Sequence, residues 1–312
     1  MKCHGIVFVL LLCLIGQGLQ NKIIFSAVNN IKEKNLITGE VSYLITNLQS
    51  DIFCIDYDYN TGYLYIPRFN KHDILRLRYP SEKTYNIENV TMTNSPVNLA
   101  IDTLYKHVYW SEYNNGNLLR CNLDGSNKSF ILHDSIGYMY ALTLDIQNRW
   151  LYYSTVSLSY SIRLRRARLD GTEIQTLIES AVSPMDRVIA LSIDNNEDRL
   201  YWMGFDRGDL KSSNFNGTNV IDVHRTNTIR LNRAIHLYGN TVYCVNDRQI
   251  LDVTVSPSTT VNVIHSDIET MYAQKEIEVS KNVNGWFEDV GKILWGYIEY
   301  RSRMSSKTDT FK

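Results

Sequence analysis

The chain reads as all-β, a six-bladed β-propeller closed by a composite blade from its N- and C-terminal strands, and three observations carry that reading. A pattern of an apolar stretch ending in Asp, a short turn, an apolar–Tyr–aromatic run and a charged segment recurs at Asp56, Asp102, Asp145 and Asp194, in steps of 46, 43 and 49 residues. Within each unit, apolar, aromatic and β-branched residues alternate with polar ones at period two, cut by Asn, Asp and Gly, as half-buried strands require. The two ends of the pattern are complementary, since the first unit lacks a first strand and the last has nothing regular after one. Self-similarity at about 40–50 residues marks a repeat architecture. Four short strands per unit suit one propeller blade, and a shared blade leaves no open sheet edge at the seam.

Taken in order, the repeat begins at Ile23-Ile24-Phe25-Ser26, which reads as a second strand, followed by candidate strands over 31–36 and 43–45. A weak copy carries Cys54-Ile55-Asp56 and Tyr63-Leu64-Tyr65-Ile66. The clearest carries Leu99-Ala100-Ile101-Asp102, Val108-Tyr109-Trp110-Ser111-Glu112 and Leu123-Asp124-Gly125. The next two carry Leu142-Thr143-Leu144-Asp145, Leu151-Tyr152-Tyr153-Ser154, Leu169-Asp170-Gly171, and then Leu191-Ser192-Ile193-Asp194, Leu200-Tyr201-Trp202, Phe215-Asn216-Gly217. The fifth runs from Ala234 to Asp247, with a trimmed turn and Cys244 in the aromatic position, and 271–279 supplies a last first strand. Each repeat aspartate is placed to bond turn amides. The Asp-Gly and Asn-Gly pairs supply the positive φ of tight hairpins, and Tyr and Trp are large plates suited to the wedges between blades.

These elements resemble the low-density-lipoprotein receptor class B, or YWTD, repeats over about residues 22–281: Leu-x-x-Asp, Tyr-Trp and Leu-Asp-Gly recur in order, with a matching split blade. The resemblance implies a six-bladed propeller and a protein-binding role. The signature departs at its end, where the second strands close Tyr-Ile-Pro-Arg, Tyr-Trp-Ser-Glu, Tyr-Tyr-Ser-Thr, Tyr-Trp-Met-Gly and Tyr-Cys-Val-Asn. The family's blade-to-blade polar network is therefore expected to be altered while the fold is kept. Family receptors add cysteine-rich modules and a membrane span; neither is visible here, so receptor function as such is not expected to carry over.

Residues 1–18, with Lys2, an apolar run over 6–15 and then Gly16 and Gly18, read as a secretory signal peptide, too short for a membrane span. A secreted, extracellular, monomeric product without a membrane span is expected. Sequons at Asn89, Asn127 and Asn216 fit N-glycosylation. Beyond the leader, Cys54, Cys121 and Cys244 fall in different repeats and are read as unpaired thiols. Net charge is −1, which argues against a nucleic-acid partner. The run Arg163-Leu164-Arg165-Arg166-Ala167-Arg168 is either a solvated basic strand or a surface for an acidic polysaccharide. The tail, 282–312, has apolar residues at helical spacing (Trp286, Phe287, Val290, Leu294, Ile298), a candidate amphipathic helix.

No Gly-rich phosphate loop, His-Glu-x-x-His, Gly-x-Ser-x-Gly or Cys/His metal spacing is present in the sequence, so neither catalytic residues, nor a metal, nor a cofactor are assigned. The expected function is non-enzymatic binding of an extracellular protein ligand, with the chain acting as a soluble receptor-like or decoy module. In a propeller of the resembled family, the loops after each second strand and before each first strand crowd one face. The candidate ligand-binding residues there are Glu112, Tyr113, Tyr138, Tyr140, Met185, Asp186, Arg187, Phe205, Asp206, Asn232, Arg233, Asp247 and Arg248. The alternative is a calcium-dependent lactonase- or esterase-like propeller, which would need Asp, Asn or Glu converging on a metal. A turn role for Asp56, Asp102, Asp145 and Asp194 competes with that reading.

Overall fold

The computed structural model describes residues 19–80, 85–135, 137–157, 162–180, 187–226, 232–246, 248–255, 259–267 and 271–280, with backbone alone for 19–21, 180 and 272–280. The expected signal peptide and tail helix lie outside the described residues. The chain divides into two units, the propeller over Asn21–Ile277 and a second made of Met1–Gln20 with Glu278–Lys312.

Every described element is a strand. β1 (Leu19–Ala27), β2 (Asn30–Asn35) and β3 (Val41–Ile45) open the chain. Blade I is β4 (Asp56–Asp58), β5 (Tyr63–Arg68), β6 (Asp73–Arg78) and β7 (Ile87–Met92). Blade II is β8 (Pro96–Asp102), β9 (His107–Glu112), β10 (Asn117–Asn122) and β11 (Ser129–His133). Blade III is β12 (Gly137–Asp145), β13 (Trp150–Ser157), β14 (Ile162–Arg168) and β15 (Gln175–Ser180). Blade IV is β16 (Val188–Asp194), β17 (Arg199–Gly204), β18 (Asp209–Asn214) and β19 (Ile221–Arg225). Blade V is β20 (Asn232–Tyr238), β21 (Thr241–Asn246), β22 (Gln249–Thr254) and β23 (Thr260–Ser266). Blade VI is composite, in the order β24 (Met271–Ser280), β1, β2, β3, so the two ends close the ring as the complementary pattern predicts.

The Tyr-aromatic dipeptide has a physical reason visible in the packing. Successive strand residues point to opposite faces, and each blade has a neighbour on both. Tyr65, Tyr109, Tyr152 and Tyr201 enter the core shared with the following blade. Trp110, Tyr153, Trp202, Cys244 and Phe25 enter the core shared with the preceding one. One dipeptide therefore fills two wedges. All nine side chains are buried.

Polar contacts tie the same wedges. Tyr65 donates to the Leu123 carbonyl (2.9 Å), as does Arg76 Nη1 (2.7 Å) from the facing position of the third strand. Tyr109 donates likewise to Leu169 (3.2 Å) and accepts from Arg120 Nη1 (3.3 Å), while Arg166 Nη1 reaches Phe215 (3.3 Å). The acceptor is each time the residue just before Asp-Gly or Asn-Gly in the next blade. In the three other blades the arginine position is Ser212, Asp252 and Glu33. Glu33 instead accepts from Tyr79 across the joint between blades VI and I. From blade I to blade IV the joints are thus tied to that carbonyl by Arg76 and Arg166 directly, and at the joint between blades II and III by Tyr109 with Arg120 behind it.

The first repeat needs a correction. Asp102 Oδ1 accepts from the amides of Leu104 and Tyr105, Asp145 Oδ1 from Asn148 and Asp194 Oδ1 from Asn196, as turn caps should. In blade I the residue doing this is Asp58, which bonds the amide of Asn60 and the Thr61 hydroxyl and pairs with Tyr63 as Asp102 pairs with His107. Asp56 lies two residues inward and accepts from the Ile101 amide of blade II (3.0 Å). Cys54, read as a first-strand residue, precedes β4 and is half-buried, whereas Cys121 and Cys244 are buried; none of the three is in a disulfide among the described residues.

The joint between blades V and VI holds a buried ion pair, Lys32 Nζ with both Asp267 oxygens at 3.0 and 2.9 Å. Beside it His265 packs on Phe25 (ring centroids 5.0 Å) and lies 3.4 Å from Asp267. Burial above all, with Lys34 and Lys32 adding to it against the pull of Asp267, holds the His265 imidazole below its ordinary 6.5. Burial also lowers His107 and His224. A base with a depressed folded pKa binds its proton more readily when unfolded, so its penalty begins as pH falls through the unfolded value and is complete below the folded one. The melting temperature is therefore expected to fall between about pH 7.5 and about pH 5.5, and His265→Phe should remove part of that fall. An unchanged pH slope in the variant would take His265 out of the account.

Candidate functional site: an aromatic cavity on the loop face

Antiparallel connectivity sends the turns after every second strand, and the connections before every first strand, to one face. On that face a cavity of about 310 Å³ is lined by Phe53, Phe69, Val97, Asn98, Tyr113, Tyr140, Arg187, Ile189, Phe205 and Arg233. Its lining comes from blades I to V and from the connection preceding blade I. It adjoins the central channel, a space of about 240 Å³, with which it shares Phe53, Asn98, Ile189 and Arg233.

The rings form an arc. Phe53 meets Phe69 edge-on (5.3 Å between centroids), Phe69 meets Tyr113 (6.0 Å), and Tyr113 meets Tyr140 (5.2 Å) with the two hydroxyls 3.1 Å apart. Edge-to-face geometry aligns the quadrupoles and stiffens the arc. Burial, then the Tyr140 hydroxyl, pushes the Tyr113 phenol well above its ordinary range, so it stays neutral. Across the cavity the Arg187 guanidinium lies over the Phe205 ring at 4.3 Å, with Arg233 at 5.7 Å from the same ring.

Polar residues beneath hold these side chains in place. Glu112 is buried and accepts from the Thr93 hydroxyl (2.7 Å), the Asn94 amide (2.9 Å) and Asn117 Nδ2 (3.0 Å), pinning the hairpin that carries Tyr113. Asp206, also buried, takes Arg187 Nη2 and Nε at 3.3 and 3.4 Å. Asn232 is fully buried, donates from Nδ2 to the Phe205 carbonyl (3.1 Å) and accepts from the Thr226 hydroxyl (2.9 Å).

Of the candidates read from sequence, Tyr113, Tyr140, Arg187, Phe205 and Arg233 come together on the cavity wall, and Tyr138 stacks behind Tyr113 (4.8 Å, 17° between planes). Glu112, Asp206 and Asn232 lie under the wall. Arg248 is exposed, and its carbonyl accepts from the Asp267 amide (2.8 Å). Met185, Asp186 and Asp247 lie outside the described residues. Phe53, Phe69, Val97, Asn98 and Ile189 were missed. Phe69 directly follows a second strand and Phe53 shortly precedes a first, so the loop rule applied to the weak first repeat would have found both.

Other candidate chemistry is placed elsewhere. The capping aspartates Asp58, Asp102, Asp145 and Asp194 sit at turns on the opposite face, and no group of three or more His, Cys, Asp or Glu gathers for a metal among the described residues. The arginine-rich strand is internally engaged: Arg163 with Glu179, Arg165 with Asp134, Arg166 with Gln175, and Arg168 with Glu173 and the Trp150 ring. That arrangement favours the structural reading over a polysaccharide surface. Of the sequons, Asn127 and Asn216 are exposed at third-to-fourth-strand turns on the face away from the cavity, and Asn89 is exposed on β7.

Comparison with known proteins agrees with the architecture. No protein-family model matches the chain. In sequence it is similar to low-density lipoprotein receptor-related protein 5 of Mus musculus, 22% identical over 180 residues, which is 58% of this chain and 11% of the relative. The Homo sapiens protein of the same name is 22% identical over 164 residues, 53% of this chain and 10% of the relative. The chain thus spans about a tenth of the length of these relatives. In fold it is similar to a chain of the nidogen/laminin complex, with a TM-score of 0.70 at 13% identity, covering 82% of this chain and 98% of that one. It is also similar to virginiamycin B lyase from Staphylococcus aureus, with a TM-score of 0.57 at 15% identity, covering 77% and 80%.

Proposed function

We propose that this propeller, of the low-density-lipoprotein receptor class B (YWTD) type in sequence and fold, is a non-enzymatic module that binds an extracellular protein at the aromatic cavity of its loop face. The observation that carries the reading is the cavity itself. Five half-buried rings and two arginines stand on loops braced from below by Glu112, Asp206 and Asn232. Rigid aromatic and arginine anchors in a partly desolvated recess are what protein interfaces use as hot spots. The polar groups on the wall are arginine, asparagine and paired tyrosine hydroxyls, with no His, Cys or carboxylate among the described lining residues to serve as general base. The fold is shared with a chain of the nidogen/laminin complex, a likeness compatible with a protein partner.

Secretion is part of the proposal and rests on the leader-like sequence 1–18. The positions of Asn127 and Asn216 are compatible with it, since glycans there would leave the cavity face clear. A soluble receptor-like or decoy role follows if the secreted chain competes for a receptor's ligand.

The test is capture from extracellular fluid by immobilised full-length chain, beside a Tyr113→Ala/Phe205→Ala variant whose melting temperature is checked first. Loss of about tenfold or more of a captured protein on the variant is the expected outcome. The same proteins retained at the same level by a folded variant would remove the cavity from the function.

A further inference from the structure

We infer that the cavity recognises a carboxylate set beside a large apolar side chain, so that the partner presents an extended segment with Asp or Glu next to an aromatic or branched aliphatic residue. The inference rests on the binding reading above and adds the chemistry of the occupant. Three features of the wall support it.

Its charge has one sign. Arg187 and Arg233 both line the cavity, and no Asp or Glu does among the described lining residues. The carboxylate that holds Arg187, on Asp206, sits behind the wall and is reached only at 3.3 and 3.4 Å. Those contacts are long beside the roughly 2.7–2.9 Å of a strong charge-assisted bond, and a guanidinium has five donors in a fixed fork. Arg187 can therefore keep Asp206 and still take an incoming carboxylate more closely.

The remaining wall is mainly apolar, with Asn98 and the paired Tyr113 and Tyr140 hydroxyls as its other polar groups. Phe53, Phe69, Tyr113, Tyr140, Phe205, Val97 and Ile189 surround the arginines, so a bound anion would be drawn out of water into a site of low polarisability, where its attraction to a guanidinium is strengthened. The size sets the scale of the occupant. At about 310 Å³ the cavity stands at the lower end of the roughly 300–1,000 Å³ range of ligand pockets, room for one anchor side chain and its acidic neighbour.

The probe is a phage library of random 12-residue peptides, selected on the immobilised full-length chain and screened against the folded Tyr113→Ala/Phe205→Ala variant. Clones that lose binding on the variant and share Asp or Glu beside an aromatic or aliphatic residue are the expected result. In the synthetic consensus peptide, acid-to-amide replacement should weaken binding by about tenfold or more. Cavity-dependent clones with a basic or uncharged consensus, or an amide peptide that binds as tightly as the acid, would overturn the carboxylate and leave the binding face standing. Clones none of which depends on the cavity would overturn both. Arg187→Met/Asp206→Asn, which removes both charges together and leaves Arg233, should lose most of the preference for the acid over the amide peptide; an undiminished preference would assign the recognition to another group and overturn the role given to Arg187.

Discussion

Asp267→Asn is expected to destabilise the propeller by about 3–5 kcal/mol, the usual cost of breaking a buried ion pair from one side. The Lys32 and Asp267 side chains are only 5% and 6% exposed. They join positions 235 residues apart, one on the composite blade and one just after β23, so the pair sits at the joint that closes the ring. With an amide in place of the carboxylate, the Lys32 ammonium would remain in a dry site, facing the Tyr43 ring at 4.8 Å and near His265. The cost comes from taking the carboxylate away from a buried ammonium, and Lys32→Met with Asp267→Leu should recover most of it. Denaturant unfolding followed by tryptophan fluorescence measures both variants. A loss below about 1 kcal/mol in the single variant would mean that the pair behaves as an exposed one. Closure would then rest on the apolar contacts of Ile23, Phe25, Val245, Ile250 and Met271.

Such closure was legible in the sequence because the strand pattern is obligatory. A blade between two neighbours must be apolar on both faces of its second strand, and Tyr109-Trp110 or Tyr201-Trp202 states that requirement in two letters. Register was less legible where two aspartates flank one aromatic. Asp56-Tyr57-Asp58 offers two candidate caps, and only pairing with Tyr63 selects Asp58. Depth was not legible on the loop face. Glu112 ends β9, Asp206 follows β17 and Asn232 opens β20 like ordinary surface residues, yet their partners Asn94, Arg187 and the Phe205 carbonyl come from other loops. The reach of Arg76 and Arg166 into the next blade was invisible for a related reason. A third-strand arginine looks solvated, and a main-chain carbonyl in the next blade leaves no mark in a sequence.

The glycine of Leu-Asp-Gly marks the same joint from the other side, and Gly125→Ala is expected to cost about 2–5 kcal/mol, combining positive-φ strain of about 1–2 kcal/mol with a forced backbone displacement. Gly125 has φ +89°, and an added Cβ would stand 1.8 Å from the Val90 carbonyl oxygen on the outer strand of the preceding blade. No rotamer relieves a clash with main chain, so either the turn or β7 must move and the joint between blades I and II opens. The equivalent contacts are 2.2 Å from Gly171 to Ile131 and 2.8 Å from Gly217 to Leu177, both with φ near +85°. Losses should therefore fall in the order Gly125→Ala, Gly171→Ala, Gly217→Ala, although the backbone strain is nearly the same in all three. Gly39→Ala is the reference, with φ +75° and nothing within 4 Å of the added carbon, and its cost should be the strain alone. Four equal shifts in unfolding midpoint would show that these glycines serve only the turn. A graded series would show that each also admits the neighbouring blade, which makes the Gly of the repeat a packing residue as much as a hairpin residue.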